Sequence, residues 1–166
     1  MALQPAQRIT AQRLRDNAPW TAGYASITAS TAATTSSTPQ AAITTDPILF
    51  RAGRAYRLSY RGGLTSSTLG QQGTVLITRG TAGGATLLNS QRIPCAAGQA
   101  GTVGFYFENI IAVGGTDVTT ALVGTYQMVF QVSSGTVAIF GSATTPAYIE
   151  VTDIGLAADY PGATPM

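Results

Sequence analysis

The sequence contains no histidine, no lysine and a single cysteine, Cys95. Without imidazole there is no His base, no His metal ligand and no Ser-His or Cys-His nucleophile pair. One cysteine cannot close an internal disulfide; between Pro94 and Ala96, with no base beside it, Cys95 reads as a small buried apolar group. Charge is scarce as well. Asp, Glu, Lys and Arg make up 10% of the 166 residues, against about 25% in an average chain. No apolar run approaches the roughly 18 residues of a membrane span. The N-terminus lacks the apolar stretch of a secretory signal, so synthesis and retention in a cytosol, or release by lysis, is the expectation.

What charge there is has a pattern. All nine positive groups are Arg, seven carboxylates oppose them, and the net charge of +2 is too small to point to nucleic acid. Arg51, Arg54, Arg57 and Arg61 crowd one stretch. Strand alternation puts Arg57 and Arg61 on one face and Arg54 on the other, as a solvated strand face or as partners in subunit salt bridges. Two causes compete for a surface this poor in charge. Either subunits cover one another in an obligate assembly, or a GC-rich genome favours Ala, Gly, Thr and Arg codons.

The residues offer little chemistry. Gly80 to Gly84 and Gly98 to Gly101 are glycine-rich but lack the Gly-Lys-Ser/Thr ending and following helix of a phosphate loop. The acids lack the spacing of a Ca²⁺ loop. Paired carboxylates for glycoside hydrolysis remain. Glu150 and Asp153 fall at opposite parity on one strand, and Glu108 meets Glu150 only if their strands are neighbours. The expectation is no enzyme, no cofactor and no metal ligand, with carboxylates paired to the Arg cluster instead.

Periodicity is that of strands. Leu122, Tyr126, Met128, Phe130 and Val132 alternate with Val123, Thr125, Gln127 and Gln131. After Ser133 to Gly135, Thr136 to Phe140 reads as the returning arm of a hairpin. Other strands are expected over Gly23–Thr28, Gln40–Thr44, Ile48–Phe50, Arg54–Tyr60 (ended by Gly62 and Gly63), Thr74–Arg79, Thr86–Ile93, Thr102–Glu108 and Ala147–Asp153, with a mobile loop near Thr34–Pro39. The fold class is therefore all-β: a jelly-roll-like sandwich of about eight strands in two four-stranded sheets, with a short N-terminal arm or helix. Leu58, Ile77, Phe105, Phe107, Tyr126, Met128, Phe130, Ile139, Ile149 and Val151 belong in its core. Val123, Val129, Ala138 and Phe140 are candidates for subunit contacts.

Three units follow: an N-terminal docking arm (1–20), the sandwich (21–158) and a C-terminal tail (159–166). In the arm, Thr10 can cap a short helix through Asn17, too short to stand alone. Arg8, Ile9, Arg13, Leu14, Arg15 and Trp20 are its candidate contacts to a capsid or to another subunit. Tyr24, Tyr60, Tyr106 and Tyr148 are available for an aromatic sugar platform, and strand-face packing or subunit contact competes with that use.

Three stretches carry a resemblance. Pro5 to Leu14, Phe50 to Leu58 and Ala143 to Gly155 together resemble small virion proteins encoded by tailed phages of actinobacteria. The resemblance spans the chain nearly end to end, and its motifs are structural. It implies a virion surface role and homotrimers, and names no catalytic residue. The expected partners are then the chain itself and a major capsid protein or tail proteins, with no nucleic acid and no membrane. The expected function is a trimeric capsid decoration (cement) protein held by its N-terminal arm. The alternative is a minor tail or fibre-tip protein that binds the host surface, and a carbohydrate-binding module is a third reading.

Overall fold

The computed structural model describes residues 19–68, 72–82, 86–94, 101–130 and 135–166, with the side chains of residues 129 and 130 excepted. Eight principal strands build the body. They are β1 (Trp20–Ile27), β2 (Gln40–Thr44), β4 (Arg54–Ser66), β5 (Gln72–Arg79), β6 (Thr86–Pro94), β7 (Gly101–Ala112), β9 (Leu122–Phe130) and β11 (Ala147–Leu156). Their antiparallel pairings nest: β1 with β11, β2 with β9, β4 with β7, and β5 with β6 innermost. The chain is thus one long hairpin rolled over on itself. Rolling brings β11 against β4 and β9 against β5, which completes β1-β11-β4-β7 in one sheet and β2-β9-β5-β6 in the other. That is the jelly roll expected from the strand pattern.

Four short strands extend the expected two sheets of four. β3 (Ile48–Phe50) and β8 (Val118–Thr120) form a two-stranded ribbon of their own. β10 (Val137–Phe140) lies along the end of β4, and β12 (Thr164–Pro165) adds in parallel to β7, so the first sheet has six strands. A single 3₁₀ turn, Ala157–Asp159, follows β11.

The core lies between the sheets, where period 2 delivers it. Tyr56, Leu58, Tyr60 and Leu64 of β4 are fully buried, as are Val75 and Ile77 of β5 and Ile149 and Val151 of β11. Of the core expected from sequence, Leu58, Ile77, Phe105, Tyr126, Met128, Ile139, Ile149 and Val151 are buried and Phe107 packs against them. The Phe130 side chain lies outside the described residues. Tyr60 sits at the centre, edge-on to Phe105 at 4.9 Å and to Phe107 at 5.5 Å between centroids.

Three sequence expectations are corrected. Residues Thr136 to Phe140 do not return as a hairpin partner of β9. β9 belongs to the four-stranded sheet and β10 pairs Val137–Phe140 with Gly63–Ser66 of β4, in the other sheet. Gly135 does take a positive φ of 141°, but the chain uses it to cross between layers. Gly62 and Gly63 do not end β4, which runs on to Ser66. They are small because neighbours press on them: a Cβ on Gly62 would lie 2.9 Å from Ala147 Cβ and from Phe105 Cζ. Nor is Thr34–Pro39 loose: Thr34 and Val137 exchange backbone hydrogen bonds of 2.8 and 2.9 Å, and Met128 N–H donates to Ser36 O at 3.0 Å.

Val123 and Ala138, expected at subunit contacts, are 3% and 7% exposed within the single chain, and Phe140 is half-buried. Val129 lies outside the described side chains.

Gly124 shows how closely the layers approach. It faces the core from β9, and a Cβ there would stand 2.8 Å from Ile149 Cδ1 and 3.0 Å from Tyr60 Cζ. Gly124→Ala should therefore cost about 1–3 kcal/mol, read as a lower urea midpoint, because the sheets must part to admit a methyl. An unchanged midpoint would mean the layers are looser than this spacing.

Candidate binding face

The outer face of the six-stranded sheet is laid out by strand alternation. On β4 the residues opposite the buried tyrosines and leucine are Arg57, Ser59 and Arg61, and both arginines are exposed. The register sets their neighbours. Arg61 lies between Tyr148 of β11 and Tyr106 of β7. Ser59 lies between Glu150 and Glu108, and Tyr24 of β1 stands beyond Glu150. Arg57 lies between Thr152 and Ile110. Three rows result: Tyr-Arg-Tyr, then Tyr-Glu-Ser-Glu, then Thr-Arg-Ile.

Several of these side chains are held in place. Tyr106 Oη–H donates to Glu108 Oε1, and Ser59 Oγ donates to the same oxygen at 3.4 Å. Arg57 Nε lies 3.8 Å from it. With side chains 44% and 41% exposed, that ion pair orients Arg57 more than it stabilises the fold. The hydrogen bond to Glu108 pushes the Tyr106 phenol above its ordinary range, since ionising it would put two negative charges together. Thr21 Oγ1 reaches Glu150 Oε1 at 3.5 Å. The Tyr24 and Tyr148 rings lie 5.7 Å apart, tilted by 31°.

Tyr24 and Tyr106 are 54% and 52% exposed, among the most exposed large apolar side chains described. Tyr60, grouped with them as platform material, is instead fully buried. It shares parity with Tyr56 and Leu58, a signal already present in the alternation. Glu108 and Glu150 are not on neighbouring strands: β4 runs between them. Arg57 and Arg61 share this face as expected, and Arg54 turns to the other side, where it meets Asp153.

Of the arm's candidate contacts, Arg8, Ile9, Arg13, Leu14 and Arg15 lie outside the described residues. Trp20 is the first residue of β1 and is 46% exposed. Cys95 and the Gly98 to Gly101 stretch, up to residue 100, also lie outside. Among the described residues, no three His, Cys, Asp or Glu side chains gather as a metal site would need, and no helix is long and apolar enough to cross a membrane.

No protein-family model matches the chain, and no curated protein does so by sequence. Solved structures do match. A chain of the infectious bursal disease virus, Gt strain, superposes with a TM-score of 0.52 at 12% identity, over 90% of this chain and 36% of that one. This chain thus spans about a third of that neighbour's length, and the likeness is one of fold. The C-terminal CBM6 of LamC, a marine laminarinase from Zobellia galactanivorans, aligns at 15% identity over 78% of this chain and 98% of that one. Its TM-score of 0.33 is too low to carry an argument.

Proposed function

We propose that this chain is a structural protein of a virion, and in its finer form a capsid decoration protein whose jelly roll projects from the shell while residues 1–20 attach it. The observation that carries the reading is the nested eight-strand roll, shared over 90% of the chain with a chain of a virus. Jelly rolls also serve lectins and cupins, so the fold alone does not choose among them. Charge supplies a second support. The first 18 residues hold three Arg and one Asp, whereas the remaining six Arg are matched by six carboxylates. All the net positive charge therefore sits on the arm, which suits docking on an acidic surface, and the body is neutral. Attachment to a shell would stabilise the fold by mass action.

Purified particles of the encoding virus test this. Labelled antibody should find many copies spread over the head. A handful at the tail end would move the protein to the fibre-tip reading, and absence from particles would end the virion reading. The arm has its own test. A chain lacking residues 1–18 should keep its melting temperature and lose attachment to particles. Attachment of the truncated chain would place the docking surface elsewhere.

A further inference from the structure

The two outer faces of the sandwich differ in the side chains they expose. On β9, Gly124 and Tyr126 face the core, so alternation turns Val123 and Thr125 outward. Yet Val123 is 3% exposed and Thr125 0%, so within one chain this face is not bare at its centre. On the outer face of the six-stranded sheet the small Ser59 and Thr152 are buried, but Arg57, Arg61, Tyr106 and Glu108 are exposed at its middle and Tyr24 at its side. The other outer face is exposed in places too, at Leu87, Ser90 and Arg92 of β6, but among the described residues it carries no aromatic side chain, so the tyrosines single out the first face.

We propose that the outer face of β1-β11-β4-β7 is the subunit interface of a closed homo-oligomer, sealed by Tyr24, Tyr106 and Tyr148 around Arg61. This rests on the virion reading above and adds to it a surface for self-association. The occupant is a second copy because the charges suit one. Two Arg and two Glu balance, so the face selects neither an acidic nor a basic partner. They lie in adjacent rows of opposite sign, so a copy turned about a symmetry axis can set its Glu row against an Arg row. Tyr and Arg are the side chains enriched at interface centres and costly to truncate there. Here the tyrosines are also pre-ordered, through the Tyr106–Glu108 hydrogen bond and the Tyr24–Tyr148 ring contact. Association would therefore freeze few rotamers.

The arrangement has a consequence for docking. Cyclic symmetry places equivalent points at one height along the axis. Every Trp20 would then lie at the same height along the axis, and all the arms would start from one level of the oligomer.

Sedimentation velocity and native mass measurement of the full chain test the proposal. The wild type should be oligomeric at about 100 µM, a concentration at which even a micromolar interface is saturated. Tyr106→Ala and Arg61→Glu alter exposed side chains and should leave the strand signature of the circular dichroism intact, while weakening self-association about 100-fold or more. Leu87→Glu, on β6 of the other sheet and 53% exposed in the wild type, should stay oligomeric. A monomeric wild type, or Tyr106→Ala and Arg61→Glu proteins that assemble as the wild type does, would overturn the proposal. A monomer that binds a neutral polysaccharide through the same tyrosines would give the face to a glycan and overturn it too. None of these outcomes bears on whether the protein is found on particles, so the virion reading fails or survives separately.

Discussion

Replacing Asp153 with alanine should lower the unfolding free energy by about 3–5 kcal/mol, as much as truncating a large core side chain. Asp153 is 1% exposed on β11. Its two oxygens accept from one guanidinium: Arg54 Nε–H at 3.0 Å to Oδ2 and Nη2–H at 2.5 Å to Oδ1. The Gly155 N–H adds a third bond, 3.1 Å to Oδ1. This fork sits where β11 slips register against β4, between Asp153 and Gly155, and Gly155 takes a φ of +128° there. Alanine would keep the Arg54 charge, 12% exposed on its side chain, and remove the carboxylate that offsets its desolvation. It would also strip the Gly155 N–H of its acceptor, at the point where the strand bends.

A companion variant separates the charge from the packing. Arg54→Met with Asp153→Leu removes both ions, and well-packed apolar pairs of similar volume are often as stable as the buried ions they replace. The double variant should therefore recover much of the loss. Urea denaturation of the wild type, both single variants and the double gives the coupling directly. An Asp153→Ala protein within about 1 kcal/mol of wild type would mean the fork contributes no more than a surface ion pair.

That fork was invisible in the sequence, because its partners are 99 residues apart. Only the nested pairing brings β4 and β11 together. What local pattern could show was strand parity. Tyr56, Leu58 and Tyr60 against Arg57, Ser59 and Arg61 forecast both the core and the exposed face of β4, and the same parity should have removed Tyr60 from the sugar platform. Parity says nothing about which strands pair. A loop of three small residues before Thr136 looked like a hairpin turn, yet β10 found the free edge at the end of β4, beside β11. Glycine misled for a related reason. Gly62 and Gly63 are absent of side chain to make room for Phe105, Ala147 and Phe140, a tertiary need that reads locally as a strand end. The jelly roll itself was legible because strand count, short spacings and sparse helix signals converge on few architectures.

Stability should be nearly flat from about pH 6 to 9 and should fall steeply above pH 10, because no histidine titrates in the first interval and buried tyrosines titrate above the second. Burial raises the Tyr60 phenol well above its ordinary value, and the nearby Tyr126 pushes it further in the same direction. Burial also raises Tyr56, partly offset by the Arg51 N–H that donates to its oxygen at 2.8 Å. In the unfolded chain both phenols ionise near pH 10. With folded values above that, their contribution is complete below about pH 10 and is lost as pH rises toward the folded values, at about 1.4 kcal/mol per pH unit for each tyrosine. The Tyr60 hydroxyl is buried with no hydrogen-bond partner among the described residues. Tyr60→Phe should then cost nothing at pH 7 and add about 1 kcal/mol, since an unsatisfied buried hydroxyl leaves and the ring contacts with Phe105 and Phe107 remain. Its alkaline slope should be shallower than wild type by one proton. Urea midpoints measured from pH 6 to about pH 11 decide this. A Tyr60→Phe protein destabilised by about 2 kcal/mol at neutral pH would show that the hydroxyl is bonded after all. An alkaline slope equal to that of the wild type would show that Tyr60 is not the group whose ionisation opens the sandwich.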